Sequence, residues 1–266
     1  MKKQQNWLLL GDLHVGSRTG LSNDPGNPIQ EELYSRWNDC RRYIKTLNVG
    51  SLDAVVCNGD AIDGPDRKSH DIDNPDMLSQ AEEAAELLAS YDAKEYYVIA
   101  GTGYHTGVDG QDIERHVAKC LQALGKTAHY YDNLSVSING WFNLWCRHFI
   151  NASQVPHGRS TAQARKKYWK VLNEAIDAKG GGRVAEWPDL TVFSHVHYYN
   201  YQEDAFGAVM SLPAWQASGG KYGSRICGGH IDIGSVLLTV GKDQREGFSC
   251  QKRLYPARMV SQKVIR

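Results

Sequence analysis

No apolar run in the chain approaches the ~20 residues needed to cross a bilayer. The run nearest the start, Trp7–Leu10, follows a basic Met1-Lys2-Lys3 but is too short for a signal-peptide core, and it stops at Gly11-Asp12. Charge of one sign is also missing. Lys+Arg is 30 and Asp+Glu is 30, so the formal net charge is +0. A whole-molecule field that gathers nucleic acid or acidic lipid is thereby excluded, and only a local basic patch could act in that way. Paired cysteine motifs are absent as well. Cys40, Cys57, Cys120, Cys146, Cys227 and Cys250 are scattered and form no C-x-x-C. In a chain of this length the pattern points to reduced, mostly buried thiols rather than a disulfide frame. There is no internal repeat and no low-complexity linker. The expectation is a soluble, unexported, cytoplasmic protein that does not engage a membrane.

What is present suffices for a sizeable core. With 41% of its 266 residues hydrophobic, the chain reads as one domain over residues 1–266. Its first half alternates short apolar runs with helical periodicity. Trp7–Leu10, Ala54–Cys57 and Tyr96–Ala100 read as strands. Ile29–Leu47 carries Leu33, Trp37, Cys40, Tyr43, Ile44 and Leu47 on one helical stripe. Met77–Tyr91 and Gln111–Leu124 read as further helices, with Pro75 placed in the first turn of the former. Val15–Pro28, Ala61–Asn74 and Gly101–Gly110 read as loops. The second half is richer in strands. Leu134–Ile138 and Trp141–Cys146 flank Asn139-Gly140, a signal for a type I′ hairpin. Leu190–Phe193, Val209–Leu212, Val236–Val240 and Phe248–Leu254 follow as strands. Ser160–Ala178 is a basic helix stopped by Gly180-Gly181-Gly182. This order favours an α/β fold of two packed, mixed sheets with outer helices.

Several of the apolar runs lead into a carboxylate or an imidazole. Asp12-x-His14 follows the first, Gly59-Asp60 the second, and His195-x-His197 follows Leu190–Phe193. At a strand end, alternation would put residues two apart on one side, so one metal could take both members of a pair. Gly59 would allow close backbone approach beside Asp60. A carboxylate has two oxygens and can bridge two cations. Asp63 reads as a loop residue in a supporting position. His148 ends the second hairpin strand, and His157, in a Pro-His-Gly turn, competes with it; the strand end would hold its ligand more rigidly. His105 lies past the third strand, where it could protonate a leaving alkoxide. Each residue also has an ordinary reading: a turn Asp, a helix cap, a satisfied core His. The argument rests on the set and its order. Carboxylates and imidazoles delivered from several strand ends suit two hard or borderline metal ions, which activate water and clamp a phosphoryl group in line.

The series resembles the calcineurin-like metallophosphoesterases over roughly residues 7 to 197. The resemblance implies a four-layer α-β-β-α sandwich of two mixed sheets flanked by helices, with a dinuclear centre at the strand ends. It implies that Asp12, His14, Asp60 and His197 hold one metal and that Asp60, His148 and His195 hold the other, Asp60 bridging. A hydroxide shared between the metals would attack phosphorus. The third motif departs from the family pattern. Where Gly-Asn-His is usual, the chain has Gly101-Thr102-Gly103-Tyr104-His105, so the ligating Asn is absent. Either His105 keeps the acid role, with water or Thr102 replacing the Asn, or His105 itself ligates the second metal. Ser194 stands where Gly is usual. The Gly-Thr-x-x-His form is similar to that of phage- and prophage-encoded members.

The expected activity is metal-dependent hydrolysis of a phosphodiester or phosphomonoester. The mixed donors suit Mn, Fe, Zn, Co or Ni. A nucleic acid or nucleotide substrate stays open, because Arg159, Arg165, Lys166, Lys167 and Lys170 interleave with Tyr168 and Trp169. The plainer reading of that helix is a solvated face with its aromatic stripe in the core. Tyr198, Tyr199 and Tyr201 either wall the site or pack as strand residues. Two other functions compete: a mononuclear zinc hydrolase, and a catalytically weak or inactive relative that keeps the fold as a binding scaffold. The missing Asn favours the scaffold; six of the seven implied ligand positions, which are filled, oppose it.

Overall fold

Trp7, Leu8, Leu9 and Leu10 are buried on both faces of their strand, and this double burial organises the layers. In the computed structural model, which describes residues 3–47, 50–65, 72–106, 113–151, 153, 155–182, 184–217 and 231–256, that strand is β1 (Gln5–Leu10). It lies in a six-stranded sheet with β2 (Leu52–Asn58), β3 (Ala93–Ile99), β4 (Ala128–Tyr131), β10 (Ile233–Val240) and β11 (Phe248–Tyr255), ordered β11-β10-β1-β2-β3-β4. The steps from β1 to β4 are parallel and those to β10 and β11 antiparallel. A second, five-stranded sheet combines β5 (Leu134–Ile138), β6 (Phe142–Cys146), β7 (Leu190–Phe193), β8 (Asn200–Asp204) and β9 (Gly207–Ser211) in the order β5-β6-β7-β9-β8. It too mixes parallel and antiparallel pairs.

Alternation along β1, β2 and β3 assigns the layers. Leu8, Leu10, Val55, Cys57, Tyr96 and Val98 pack under α1 (Pro28–Thr46), α2 (Met77–Ala89) and α4 (Ile113–Ala123). Trp7, Leu9, Ala54, Val56 and Ile99 point the other way, against Phe142, Leu144, Val192 and Met210 of the second sheet. Behind that sheet, Phe193 and Val209 form a smaller cluster that Ala162 of α5 (Thr161–Gly181) joins. The architecture is therefore the four-layer α-β-β-α sandwich of two mixed sheets expected from the sequence. The described cysteines, Cys40, Cys57, Cys120, Cys146 and Cys250, are all free thiols. No helix among the described residues is long and apolar enough to cross a membrane.

Local chemistry explains most element boundaries. Asn27 caps α1, its side chain accepting from Ile29 N at 3.0 Å and Gln30 N at 3.2 Å, with Pro28 in the first turn. Asp76 caps α2 in the same way, so Pro75 lies before the cap and not in the first turn; a cap needs a side-chain acceptor, which Pro lacks. Asn139 and Gly140 take φ of 56° and 68°, as a type I′ turn requires. Gly182 ends α5 in the left-handed conformation. The edge strands β4 and β8 were not read from the sequence. Both are short: β8 buries none of its residues fully, and β4 alternates in burial over only four residues, too few for a pattern to mark it. Gln111 and Cys227 lie outside the described residues.

One expectation is reversed. The aromatic stripe of α5 was expected in the core, but the residue packed inward is Lys167, only 2% exposed. Its Nζ donates to Gly207 O at 3.0 Å and pairs with Asp204 Oδ2 at 2.6 Å. Gln163, also on the inner face, donates to Ser211 Oγ at 2.7 Å. Tyr168 and Trp169 face outward. The inner face of α5 thus meets the strand edge and hydroxyls of the outer sheet face, which ask for hydrogen bonds rather than apolar volume.

Phe142 is fully buried between the sheets. Phe142→Ala should cost ~3–5 kcal/mol of unfolding free energy in a urea titration, through lost transfer energy and the cavity left behind.

Candidate metal centre

The candidate ligands do not sit on strands. They sit just beyond strand ends, and all of them but His148 lie on backbone bent into the left-handed region. Among the described residues, six non-glycine residues have positive φ: Asp12 (52°), His14 (47°), Asp60 (49°), His195 (72°), His197 (54°) and the hairpin residue Asn139. Such a conformation costs an L-residue ~1–2 kcal/mol and persists only where its surroundings over-determine it. Here a second ladder does so. Asp12 N donates to Gly59 O at 2.9 Å, His14 N to Asp60 O at 3.1 Å and Val15 N to Ala61 O at 3.1 Å. Trp215 N and Asp232 N in turn donate to the carbonyls of Asp12 and His197, each at 2.9 Å. The strand-alternation argument for Asp12/His14 and His195/His197 is thus corrected: a left-handed bend, not an extended strand, turns each residue of these pairs toward the centre.

Three donor groups result among the described residues. Asp12, His14 and His197 form one, Asp60, His148 and His195 a second, and His14, Asp63 and His105 a third. His197 Nε2 lies 3.4 Å from Asp12 Oδ1 and 3.3 Å from His14 Nε2. Asp12 also accepts the backbone N–H of His195 on both oxygens, at 3.2 and 3.1 Å. His148 reaches across from the second sheet, placing Nε2 3.0 Å from Asp60 Oδ2 and 4.0 Å from Asp12 Oδ1. Gly59 makes room for it: a Cβ there would lie 2.4 Å from His148 Nδ1.

Tautomers follow from these contacts. His148 Nδ1 lies 2.7 Å from Asn58 O, a pure acceptor, so Nδ1 carries the proton. In the neutral ring Nε2 is then a lone pair facing a carboxylate oxygen, and it is buried without a hydrogen-bond partner. His14 repeats the arrangement. Its Nδ1 sits 2.8 Å from Asp63 Oδ1, and its Nε2 faces the Nε2 of His197. At His148, acceptor against acceptor in a buried site calls for a cation between them, either a proton or a metal ion, whereas between His14 and His197 the Nε2–H tautomer of His197 can donate. Carboxylate and imidazole donors with carbonyl or carboxylate partners behind them fit a divalent metal.

Electrostatics agrees. Burial works against ionising Asp60, but the neighbouring His148 outweighs it and holds the carboxyl well below the usual range. Burial also opposes charge on His148, yet the pull of Asp60 raises that imidazole to about 10. Burial together with His148 pushes His195 down to about 4. Burial would lower His14, and its bond to Asp63 raises it instead. Burial and the neighbouring His14 lower His105.

His105 is on a short helix, α3 (Gly103–Thr106), and not at a bare loop position. Its Nδ1 lies 2.8 Å from Asp63 O, and its ring is 4.7 Å from that of His14, edge on. The structure groups it with His14 and Asp63 and not with His148 and His195. Thr102 instead meets Asp60, donating from its amide to Oδ1 at 2.7 Å and from its hydroxyl at 3.1 Å. His157 is exposed in a 3-10 turn at 156–158, outside every donor group of the described residues. Tyr198, Tyr199 and Tyr201 pack against the cores, Tyr201 on strand β8 and the other two on the segment before it.

Sequence reasoning missed Glu114. It is fully buried on α4 and accepts Ala61 N at 2.9 Å and the amide of Gly101, tying the loop of Asp60 to that of Thr102. Burial, then the charge of Asp60, raises its carboxyl to about 8. The available signal was a carboxylate on the apolar stripe formed with Val117, Ala118 and Leu121. Asp63 was under-read, since its carboxylate orients His14 and its carbonyl orients His105.

No protein-family model matches the chain, and no curated protein does. Solved structures with a similar fold include an archaeal phosphodiesterase, 12% identical over 94% of this chain and 100% of its own, TM-score 0.44. Zinc-bound Vps29 of Entamoeba histolytica is 14% identical over 94% of this chain and 99% of its own, TM-score 0.42. A predicted phosphoesterase of Streptococcus pneumoniae is 10% identical over 95% of this chain and 100% of its own, TM-score 0.37. Likenesses of this degree assign neither family nor activity.

The raised His148 has a consequence for the metal-free chain. A group lifted from 6.5 to about 10 on folding contributes stability that is complete below pH 6.5 and is lost as pH rises through 10. The urea midpoint of metal-free protein should therefore fall between pH 7 and 10, and His148→Gln should flatten that fall. A wild-type midpoint that is level over the same range would show that Nε2 carries no proton.

Proposed function

We propose that the chain is a calcineurin-like metallophosphoesterase that uses two metal ions to hydrolyse phosphoesters. The observation that carries this reading is the pair of adjacent donor groups, in one of which the buried Nε2 of His148 faces the carboxylate of Asp60 with no hydrogen-bond partner. Asp12, His14 and His197 would hold one ion and His148 and His195 the other, with Asp60 between them. When bound, such ions supply the Lewis acidity that activates water and offsets charge on a phosphoryl group. The chain's own residues do the rest. Asp63 fixes the ring of His14 through its carboxylate and that of His105 through its carbonyl. Thr102 holds Asp60 from the side where the resemblance expects an Asn ligand. His105 keeps one proton on Nδ1 toward Asp63 O, so a second proton on Nε2 makes it the acid for a departing alkoxide.

The substrate class is phosphoester, mono- or diester. The basic helix adds little support for nucleic acid. Lys167 is paired with Asp204, and Lys170 with Glu174 at 2.7 Å. A second reading, a binding scaffold on the same fold, is favoured by one observation: Thr102 occupies the place of the expected Asn ligand.

Asp60→Asn should abolish metal-dependent hydrolysis of aryl phosphate esters while the far-ultraviolet spectrum changes little, and the melting temperature of the metal-free protein should fall with the lost His148 contact. Elemental analysis of the wild type should give about two metals per chain. One zinc per chain with turnover would select the mononuclear hydrolase. No bound metal and no turnover after manganese addition would select the scaffold.

His105→Gln should lower kcat by roughly 10²–10⁴ on alkyl phosphoesters, whose leaving group needs a proton. It should have a much smaller effect on p-nitrophenyl esters, whose leaving group does not. Equal losses on both would assign His105 to metal binding instead.

A further inference from the structure

Of the histidines in the donor groups, His14, His148 and His197 are buried, while His105 and His195 are partly exposed. The centre therefore opens to solvent beside His105 in one group and beside His195 in another. A large aromatic ring lies against each of these two. Phe149, 42% exposed, sets its ring centroid 4.8 Å from that of His195, tilted by 43°. Tyr104, 43% exposed, sets its ring 5.0 Å from that of His105, edge on at 83°. Both rings are presented by anchored backbone. Phe149 stands between the buried His148 and Ile150. Tyr104 lies in α3 beside His105, whose Nδ1 is tied to Asp63 O. A single exposed apolar residue is ordinary on a protein surface. Two aromatic rings, each against one of the exposed histidines, line the approach to the buried donors, where ligand sites carry their aromatic side chains.

We propose that Tyr104 and Phe149 are specificity-determining residues that select phosphoesters whose organic group is a planar, unsaturated ring of the nucleobase or aryl class. The inference rests on the phosphoesterase reading above and adds the part of the substrate that lies outside the donor groups. With the phosphoryl group at the buried donors, its ester arms are left where the centre opens, against these rings. Base–aromatic stacking strengthens binding by roughly 5–150-fold per ring and tolerates any base, because every base has a π face. Aromatic pairs gain from ring geometry beyond their apolar area, so a saturated group of equal size gains less. His105 is the residue assigned to protonate the departing alkoxide, so Tyr104, beside it, meets the leaving group and Phe149 the group that stays. A diester engages both rings and a monoester only Tyr104.

The test is steady-state kinetics of the manganese-loaded, full-length protein on p-nitrophenyl diesters that differ only in the retained arm: methyl, cyclohexyl, phenyl and thymidine 5′. Phenyl and thymidine should stand above cyclohexyl and methyl in kcat/KM, with the difference carried by KM. Phe149→Ala should lower the phenyl-to-methyl ratio by roughly 5–100-fold, the size of one lost stack, and Phe149→Trp should keep it. Tyr104→Ala should do the same to the preference for benzyl over cyclohexylmethyl phosphate, two monoesters whose leaving groups are similarly basic. Calorimetry supplies a readout apart from turnover: thymidine 5′-monophosphate should bind more tightly than methyl phosphate, and Phe149→Ala should narrow that difference with the metal content per chain unchanged. Thymidine above phenyl would name a nucleotide as the source of the ring and the reverse an aryl ester, both in support. Equal kcat/KM for all four arms, or a phenyl arm no better than cyclohexyl, would overturn the inference and leave the phosphoesterase reading standing. A preference that survives both alanine variants would overturn the assignment to Tyr104 and Phe149. No turnover of any ester after manganese addition would overturn the phosphoesterase reading and this inference with it.

Discussion

The contact between His148 and Asp60 is where the two sheets are held to one geometry. Asp60 follows β2 of the first sheet and His148 follows β6 of the second. The imidazole bonds the carbonyl of Asn58 on one edge and faces the carboxylate on the other. Everything around the contact serves it. Gly59 has no Cβ to block the ring, Thr102 holds the far side of Asp60, and Glu114 ties the two loops from behind. Both partners are buried, so neither charge is screened by water. Their mutual attraction is what keeps the carboxylate ionised against a strong desolvation penalty. The arrangement favours positive charge between the two groups.

Strain is concentrated where the ligands are. Five donor residues take positive φ, and only the hairpin residue Asn139 shares that property among the described non-glycine residues. This concentration is a structural argument for a functional centre that does not depend on likeness to any other protein. The cost is borne by the parallel β1–β2 pairing, which continues beyond the strand ends as a ladder of loop hydrogen bonds. A rigid sheet edge thus imposes on Asp12, His14 and Asp60 a conformation that an isolated loop would not keep.

The far side of the molecule obeys a different constraint. Helix α5 turns hydrogen-bonding residues toward the sheet and apolar residues toward solvent. Burial of Lys167 is tolerated because its ammonium group meets both a carbonyl and a carboxylate.

Much of the architecture was legible in the sequence, because short apolar runs and stripes of period 3.6 are local signals. They marked β1, β2, β3, the Asn139-Gly140 hairpin and helices α1, α2, α4 and α5 with nearly their observed bounds, but not the one-turn α3. The donor residues were legible as types, since Asp and His directly after apolar runs stand out. What local pattern could not carry was direction and partnership. The left-handed turn at Asp12 and His197 comes from hydrogen bonds to segments distant in sequence. Glu114 matters only because α4 sets it behind Asp60. The edge strands β4 and β8 exist because a neighbour pairs them, and the inverted face of α5 depends on what the outer sheet surface offers. By itself, then, the sequence determined which residues could be core and which could bind a cation, through volume, polarity and spacing along the chain. Tertiary structure alone decided which of them meet, because meeting depends on contacts between residues far apart in sequence, and these form only when the two sheets close on each other.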